Sequence, residues 1–131
     1  RPASGSTIVP LLVAISGLGF AGLGFFPAEA GFEPSLRTTL HFVLVSVYFL
    51  AFILVAFVFP AKMKGNDYWK KWALFSVVMG VLAVASFFIP KTVPLGLSQR
   101  IGMGAHFLWL FVTSLALFRK PSENPNDAQN D

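Results

Sequence analysis

The chain contains two histidines, His41 and His106, and each lies within a long apolar segment. Imidazole nitrogen can ligate a haem iron or a chlorophyll-type magnesium, can transfer protons, and can form hydrogen bonds between helices. Three roles are therefore open for the pair. They could be axial ligands of a haem or pigment, acid–base groups acting on a lipid or isoprenoid, or structural hydrogen-bonding groups.

Four apolar segments would position these side chains. The chain is 55% hydrophobic and 12% charged, and its mean hydropathy is +0.68. A membrane-spanning helix needs about 20 mainly apolar residues, and backbone groups in hydrocarbon must be satisfied internally. We therefore predict an all-α membrane protein, a bundle of four transmembrane helices. The expected spans are about 8–26, 38–59, 70–89 and 101–118, within one domain, 1–120, that is followed by a disordered polar tail, 121–131.

Two other properties of the sequence limit its class. Ala28-Glu29-Ala30 resembles the cleavage site of a secretory signal peptide, but the preceding apolar segment is long and rich in glycine, which favours a span. There is no cysteine. Disulfides, thiolate metal ligands and cysteine nucleophiles are thereby excluded.

The basic residues predict the orientation of the spans. Four spans place both termini and the second loop on one side, and seven of the ten Lys and Arg residues lie on that side. They are Arg1, Lys62, Lys64, Lys70, Lys71, Arg119 and Lys120. Because basic residues favour the cytoplasmic side, we expect both termini to be cytoplasmic. The basic residues that give the net charge of +4 flank the spans. This position indicates the lipid bilayer and anionic lipid as partners and not nucleic acid.

This topology predicts that both histidines lie in the outer leaflet at a similar depth. His41 falls one turn into span two, and His106 falls between one and two turns into span four. Tyr48 shares a helix face with His41. The candidate cofactor-binding residues are His41 and His106, and the surrounding candidate polar site comprises Arg37, Tyr48, Gln99 and Arg100. For acid–base chemistry, Glu29 or Glu33 would supply a carboxylate, and Arg37 or Arg100 would hold an anionic head group.

Small residues on two spans predict close helix packing. Gly17, Ala21 and Gly24 share one face of span one, while Ser76 and Gly80 share a face of span three. Small side chains let helices approach closely in lipid. The Gly-x-Gly pattern of span one lacks a preceding strand and a lysine, so it does not indicate a phosphate-binding loop.

The order of several short motifs resembles one membrane-protein family. These motifs are Gly24-Phe-Phe-Pro27, Leu40-His41 and Gly96-Leu-Ser-Gln99-Arg100, and their order is similar to that of the uncharacterised family called domain of unknown function nine-nine-eight. The resemblance implies a bundle of about six spans, so two further spans would precede Arg1 or another polypeptide would complete the bundle. It includes His41 but not His106, and it implies a fold without implying an activity.

These observations predict a non-catalytic accessory or structural subunit of a larger membrane protein assembly, which packs through the small faces of spans one and three. The alternative is a lipid-, haem- or pigment-binding membrane protein, or an enzyme, with an outer-leaflet site around His41 and His106.

Overall fold

The structure is a computed structural model that describes residues 7–28, 35–63, 65, 67–90, 92 and 95–119. Its four helices confirm the all-α prediction, and no strand occurs within these ranges. The helices are α1 (Ile8–Phe25), α2 (Leu36–Met63), α3 (Asp67–Ser86) and α4 (Leu95–Phe118). The predicted polar tail, 121–131, lies outside the described residues, as do the two loop glutamates, Glu29 and Glu33.

Helix α2 starts earlier and ends later than the predicted span 38–59. The Ser35 hydroxyl accepts a hydrogen bond from the amide of Thr38 at 3.1 Å, which makes Ser35 the N-cap of the helix. At the other end the helix passes through Pro60 and continues to Met63. The apolar run therefore marks the part of α2 that lies in hydrocarbon and not the whole helix.

Helices α3 and α4 also differ from their predicted bounds. Helix α3 ends at Ser86 instead of residue 89, because Phe87 and Phe88 form turns just before Pro90. Helix α4 begins at Leu95 and not at residue 101, so it includes the polar residues Ser98, Gln99 and Arg100. The early start places His106 at the middle of a 24-residue helix, several residues deeper than the predicted span implied.

Consecutive helices pack side by side, and the core lies among α2, α3 and α4. Phe52, Val55, Trp69 and Trp109 are buried in this core. The outward faces are apolar, as exposed leucine and phenylalanine side chains on every helix show. They include Leu18, Leu50, Leu74 and Phe111. All four helices are long and apolar enough to cross a membrane, so these faces suit contact with lipid.

Glycines bring α1 close to α2, but they are not the glycines that the sequence pattern selected. A Cβ on Gly19 would lie 3.1 Å from the backbone nitrogen of Tyr48. Gly17 and Gly24 have nothing within 4 Å of that position, and Ala21 is exposed. Among the described residues, no helix of this bundle approaches Gly17 or Gly24 closely, so the packing role of Gly17, Ala21 and Gly24 stays a prediction. Helix α2 instead approaches the neighbouring face of α1, about one residue position around the helix.

The small residues of α3 do lie against α2. A Cβ on Gly80 would lie 3.0 Å from the Ala56 Cβ, and Ser76 is fully buried. The Ser76 hydroxyl donates a hydrogen bond to the Ala56 carbonyl oxygen at 2.8 Å, and Trp109 Nε1 donates to the Ser76 oxygen at 2.7 Å. Pro60 lacks the amide hydrogen that would otherwise bond to the Ala56 carbonyl, four residues earlier. Ser76 therefore satisfies a carbonyl that Pro60 leaves unpaired, and it links three helices.

We expect Ser76→Ala to lower the free energy of unfolding by about 1–3 kcal/mol, because it leaves the Ala56 carbonyl and the Trp109 indole buried without partners. Unfolding by steric trapping in micelles measures this loss. Adding Pro60→Ala should recover part of it, since an alanine amide can bond to the Ala56 carbonyl.

The matched control is Ser46→Ala, whose exposed hydroxyl donates a hydrogen bond to the Phe42 carbonyl of its own helix. Equal losses for Ser46→Ala and Ser76→Ala would contradict this account of the link.

Candidate functional site

Polar side chains from three helices meet at the centre of the bundle. His106 of α4 is only 2% exposed, and its Nε2 lies 3.3 Å from the Ser16 hydroxyl oxygen of α1. Tyr48 of α2 is fully buried, and its ring centroid lies 5.0 Å from that of His106. We call Ser16, Tyr48 and His106 the central cluster. Each member is near the midpoint of its helix, so the cluster lies near the middle of the bilayer.

Aromatic rings hold the His106 side chain in place. Its imidazole stacks on Phe52 with centroids 4.3 Å apart and an interplanar angle of 25°. Phe107 lies on the neighbouring position of α4, with its ring nearly parallel to the imidazole at 5.9 Å. Stacking of this kind fixes the ring without satisfying its nitrogen atoms.

Two atoms of the central cluster are left unsatisfied. Tyr48 Oη and His106 Nδ1 are buried and have no hydrogen-bond partner in the part of the chain that the structure describes. A buried polar group without a partner costs about 1–3 kcal/mol, and hydrocarbon offers no water to replace the partner. The central cluster can therefore bind a further polar group, and ionisable residues within membrane spans are often functional.

His41 lies elsewhere, at the end of the bundle where α1 ends and α2 begins. Its Nδ1 is 2.8 Å from the carbonyl oxygen of Phe26, just after α1. A carbonyl oxygen only accepts, so Nδ1 carries the hydrogen in this contact. In the Nδ1–H tautomer the Nε2 atom is an acceptor. His41 thereby satisfies the carbonyl of Phe26, just after α1, and presents Nε2 as a second polar atom.

The two histidines do not form a pair at one depth. The His106 ring lies at the level of Tyr48 and Phe52 on α2, because it contacts both of their rings. Tyr48, the nearer of the two to His41 along α2, is already seven residues after it. Seven residues of helix correspond to about 10 Å along the axis. The prediction that both histidines share a leaflet position is thus wrong, because α4 begins earlier than its apolar run. Axial ligation of one haem by His41 and His106 does not fit this arrangement, since both nitrogens would have to reach a single iron.

An open cavity of about 420 Å³ lies at the same end of the bundle as His41. We call it the outer cavity, after the side of the membrane that the basic residues predict for this end, and its walls come from α1, α2 and α4. Three of its lining residues are polar, namely His41, Tyr48 and Gln99, and the apolar ones include Phe20, Leu23 and Met103. The structure thus brings three of the predicted site residues to one cavity. His106 does not line the cavity, but its ring contacts Tyr48, which does.

The two predicted arginines do not line this cavity. Arg37 and Arg100 are both exposed, and Nη1 of Arg100 lies 3.5 Å from the position of a Cβ on Gly96. The Arg100 side chain therefore runs along its own helix toward the outer end. This is the behaviour of an arginine that keeps its charge in water beside an apolar surface.

A different cavity opens at the other end of the bundle, between α1 and α4. This inner groove has a volume of about 390 Å³, and Ala14, Trp69, Trp109 and Leu117 are among its mainly apolar lining residues. Nearby, the Tyr68 hydroxyl donates a hydrogen bond to the Ala116 carbonyl at 2.6 Å. That bond joins the start of α3 to the end of α4.

Lys71 lies in the first turns of α3, close to two aromatic side chains. Its Nζ lies 4.6 Å from the centroid of the Tyr68 ring and 5.5 Å from that of Trp72. Cations are attracted to aromatic faces at such distances. The contacts place a charge and two aromatic rings together at the inner end of the bundle.

Sequence reasoning missed Ser16, although it is fully buried and bonds to His106. The available signal was a hydroxyl side chain in the middle of an apolar span, where a polar group usually faces protein. The glycines that follow Ser16 in the sequence, from Gly17 to Gly24, formed the stronger pattern, and they indicated a neighbouring face of α1.

The helices and the buried polar groups together define an integral, multi-pass membrane protein. Four helices of sufficient length and hydropathy establish the class, and no membrane-exposed sheet edge occurs among the described residues.

The chain belongs to the family described as Protein of unknown function (DUF998), whose model matches residues 1–116. The family resemblance seen in the sequence motifs is thereby confirmed. No curated protein and no solved structure matches the chain.

The separation of the histidines can be tested by double-mutant cycles on the free energy of unfolding. We expect His41→Ala and His106→Ala to be additive, because residues about 10 Å apart without shared partners rarely couple. Ser16→Ala and His106→Ala should instead couple by about 0.6–1.7 kcal/mol, the range for hydrogen bonds between membrane helices. Strong coupling between the two histidines would contradict the assigned positions.

Proposed function

We propose that the chain is a non-catalytic structural subunit of a larger membrane assembly, in which α1 packs against a membrane helix from outside this bundle. The observation that carries the proposal is the low burial of α1. Only 11% of its span residues are buried, against 39%, 33% and 33% for α2, α3 and α4. Helix α1 is thus the element that this chain leaves most available to a partner.

The chemistry of the exposed face of α1 supports a helix as the partner. Gly17, Ala21 and Gly24 lie on that face, and no atom lies within 4 Å of a Cβ placed on either glycine. Between lipid-immersed helices there is no hydrophobic driving force, so association depends on close backbone approach and dispersion contacts. A face without side-chain bulk offers more contact to a neighbouring helix than to mobile lipid chains.

The side chains of the central cluster can have a structural role without taking part in catalysis. The central cluster combines a hydroxyl, a phenol and an imidazole. The hydrogen bond between the Ser16 hydroxyl and the His106 imidazole already joins α1 to α4. The same groups can position helices, and the exposed face of α1 then extends the bundle to other subunits.

Photocrosslinking in the native membrane tests this assembly. A benzophenone amino acid at Ala21 should yield a protein adduct of higher mass, whereas one at Leu74, exposed on α3, should react with lipid. Gly17→Leu should abolish the Ala21 adduct without lowering the thermal stability of the isolated chain, because the added side chain meets open space.

Gly19→Leu is the control for damage to the chain itself, because its side chain would meet the backbone of Tyr48. A protein adduct at Ala21 that persists in Gly17→Leu would show that Gly17 does not lie at the contact, and a native mass equal to that of one chain would show that α1 faces lipid.

We also propose that the termini of the chain are cytoplasmic. The start of α1, the end of α2, the start of α3 and the end of α4 border the same inner groove, and the flanking segments carry most of the basic residues. Basic residues are retained on the cytoplasmic side during insertion.

Cysteine labelling in intact cells tests this orientation, and the absence of native cysteine removes background. Gly65→Cys, in the exposed turn between α2 and α3, should react with a membrane-impermeant maleimide only after the membrane is opened. Thr92→Cys, in an exposed turn before α4, is the matched control and should react from outside. The reverse pattern would invert the topology.

A further inference from the structure

The outer cavity is not explained by a structural role of the chain. Its volume is about 420 Å³, whereas one water molecule occupies about 30 Å³ in the liquid. Most of its lining residues are apolar, so a cluster of ordered water would find too few polar partners there. Cavities of this size with few polar groups are typical of sites for small organic ligands.

The three polar residues that line the cavity have complementary hydrogen-bonding properties. His41 offers Nε2 as an acceptor, because its Nδ1–H bonds to the Phe26 carbonyl. Gln99 offers an amide that both donates and accepts. Tyr48 contributes a hydroxyl that is buried and has no partner within the described ranges. Together they suit a ligand head that carries both a hydroxyl and a carbonyl.

Charge excludes several kinds of head group. No Asp, Glu, Lys or Arg side chain lines the cavity among the residues that the structure describes. The two arginines nearby in sequence, Arg37 and Arg100, are exposed and do not border it. Transferring a phosphate or carboxylate into such surroundings without a counter-charge would be costly, so an uncharged head is favoured.

The cavity also provides a route for an apolar tail. Ala21 and Gly24 line its α1 side and are themselves exposed, and Phe20 and Met103 provide apolar wall. A chain attached to the head can therefore leave the cavity past α1 and enter the surrounding lipid.

We propose that the outer cavity binds the uncharged hydroxyl- and carbonyl-bearing head of a single-chain lipid of the monoacylglycerol class, with His41, Gln99 and Tyr48 as its hydrogen-bonding partners. The site lies within one chain, but its α1 wall includes Ala21 and Gly24, which the proposed contact with another subunit would cover, so the site is tested in the isolated chain.

Photolabelling of the full chain in phosphatidylcholine nanodiscs tests the proposal. The probe is a monoacylglycerol with a diazirine in its acyl chain, and a diazirine fatty acid of equal length is its anionic counterpart. We expect the uncharged probe to label the 20–24 segment of α1 or the 99–103 segment of α4, in competition with unlabelled monoacylglycerol. The anionic probe should label these segments less.

Variants identify the contacts. Gln99→Leu and Tyr48→Phe should each weaken probe binding about threefold to tenfold, the loss expected for one hydrogen bond. Tyr48→Phe should raise the thermal stability of the unliganded chain, because it removes a buried hydroxyl that has no partner among the described residues. A purely structural tyrosine would instead lose stability without a change in competition by the lipid.

A matched pair of alanines on α1 provides the control. Ala21→Phe fills the outer cavity and should abolish labelling, whereas Ala14→Phe, two turns away, enters the inner groove and should leave labelling intact. Both positions are exposed, so both variants should fold. Equal labelling of the two variants, or equal labelling by the anionic probe, would overturn the proposal, as would unchanged affinity in both Gln99→Leu and Tyr48→Phe.

Discussion

Pro60 imposes a constraint that the rest of the bundle must meet. Its ring removes the amide that would pair with the Ala56 carbonyl, and a spanning helix cannot leave that oxygen to water. Ser76 of α3 donates to the carbonyl, and Trp109 of α4 donates to the serine oxygen. This short chain of hydrogen bonds fixes the rotation of α3 and α4 relative to α2. Rotating either helix would expose an unsatisfied polar atom to hydrocarbon.

The position of the central cluster follows from that rotation. Trp109 and His106 lie three residues apart on α4, so the face that directs the indole to Ser76 also directs the imidazole to Phe52 and Tyr48. Gly19 lets α1 approach Tyr48 closely enough for Ser16 to reach His106. The hydrogen bonds that Ser76 makes with the Ala56 carbonyl and the Trp109 indole thus determine which side chains meet in the central cluster.

The sequence predicted the class of fold and part of the site, for physical reasons. Apolar length identifies spans directly, and the helical repeat places His106, Trp109 and Thr113, all of which are buried, on one face of α4. Depth could not be predicted, because the apolar run of α4 starts at Ile101 while the helix starts at Leu95. The contacts of Ser16 and Ser76 could not be predicted either, since hydrogen bonds between helices depend on rotations that a single helix does not specify.

The hydrogen-bonded pair Ser76 and Trp109 differs from the central cluster in whether its polar atoms have partners. Ser76 and Trp109 are paired within α2, α3 and α4, which form the buried core. Tyr48 Oη and His106 Nδ1 have no partner among the described residues, and they lie where α1 joins the core. Helix α1 is also the least buried span. The atoms of the central cluster that a further polar group would satisfy therefore lie beside the most exposed helix.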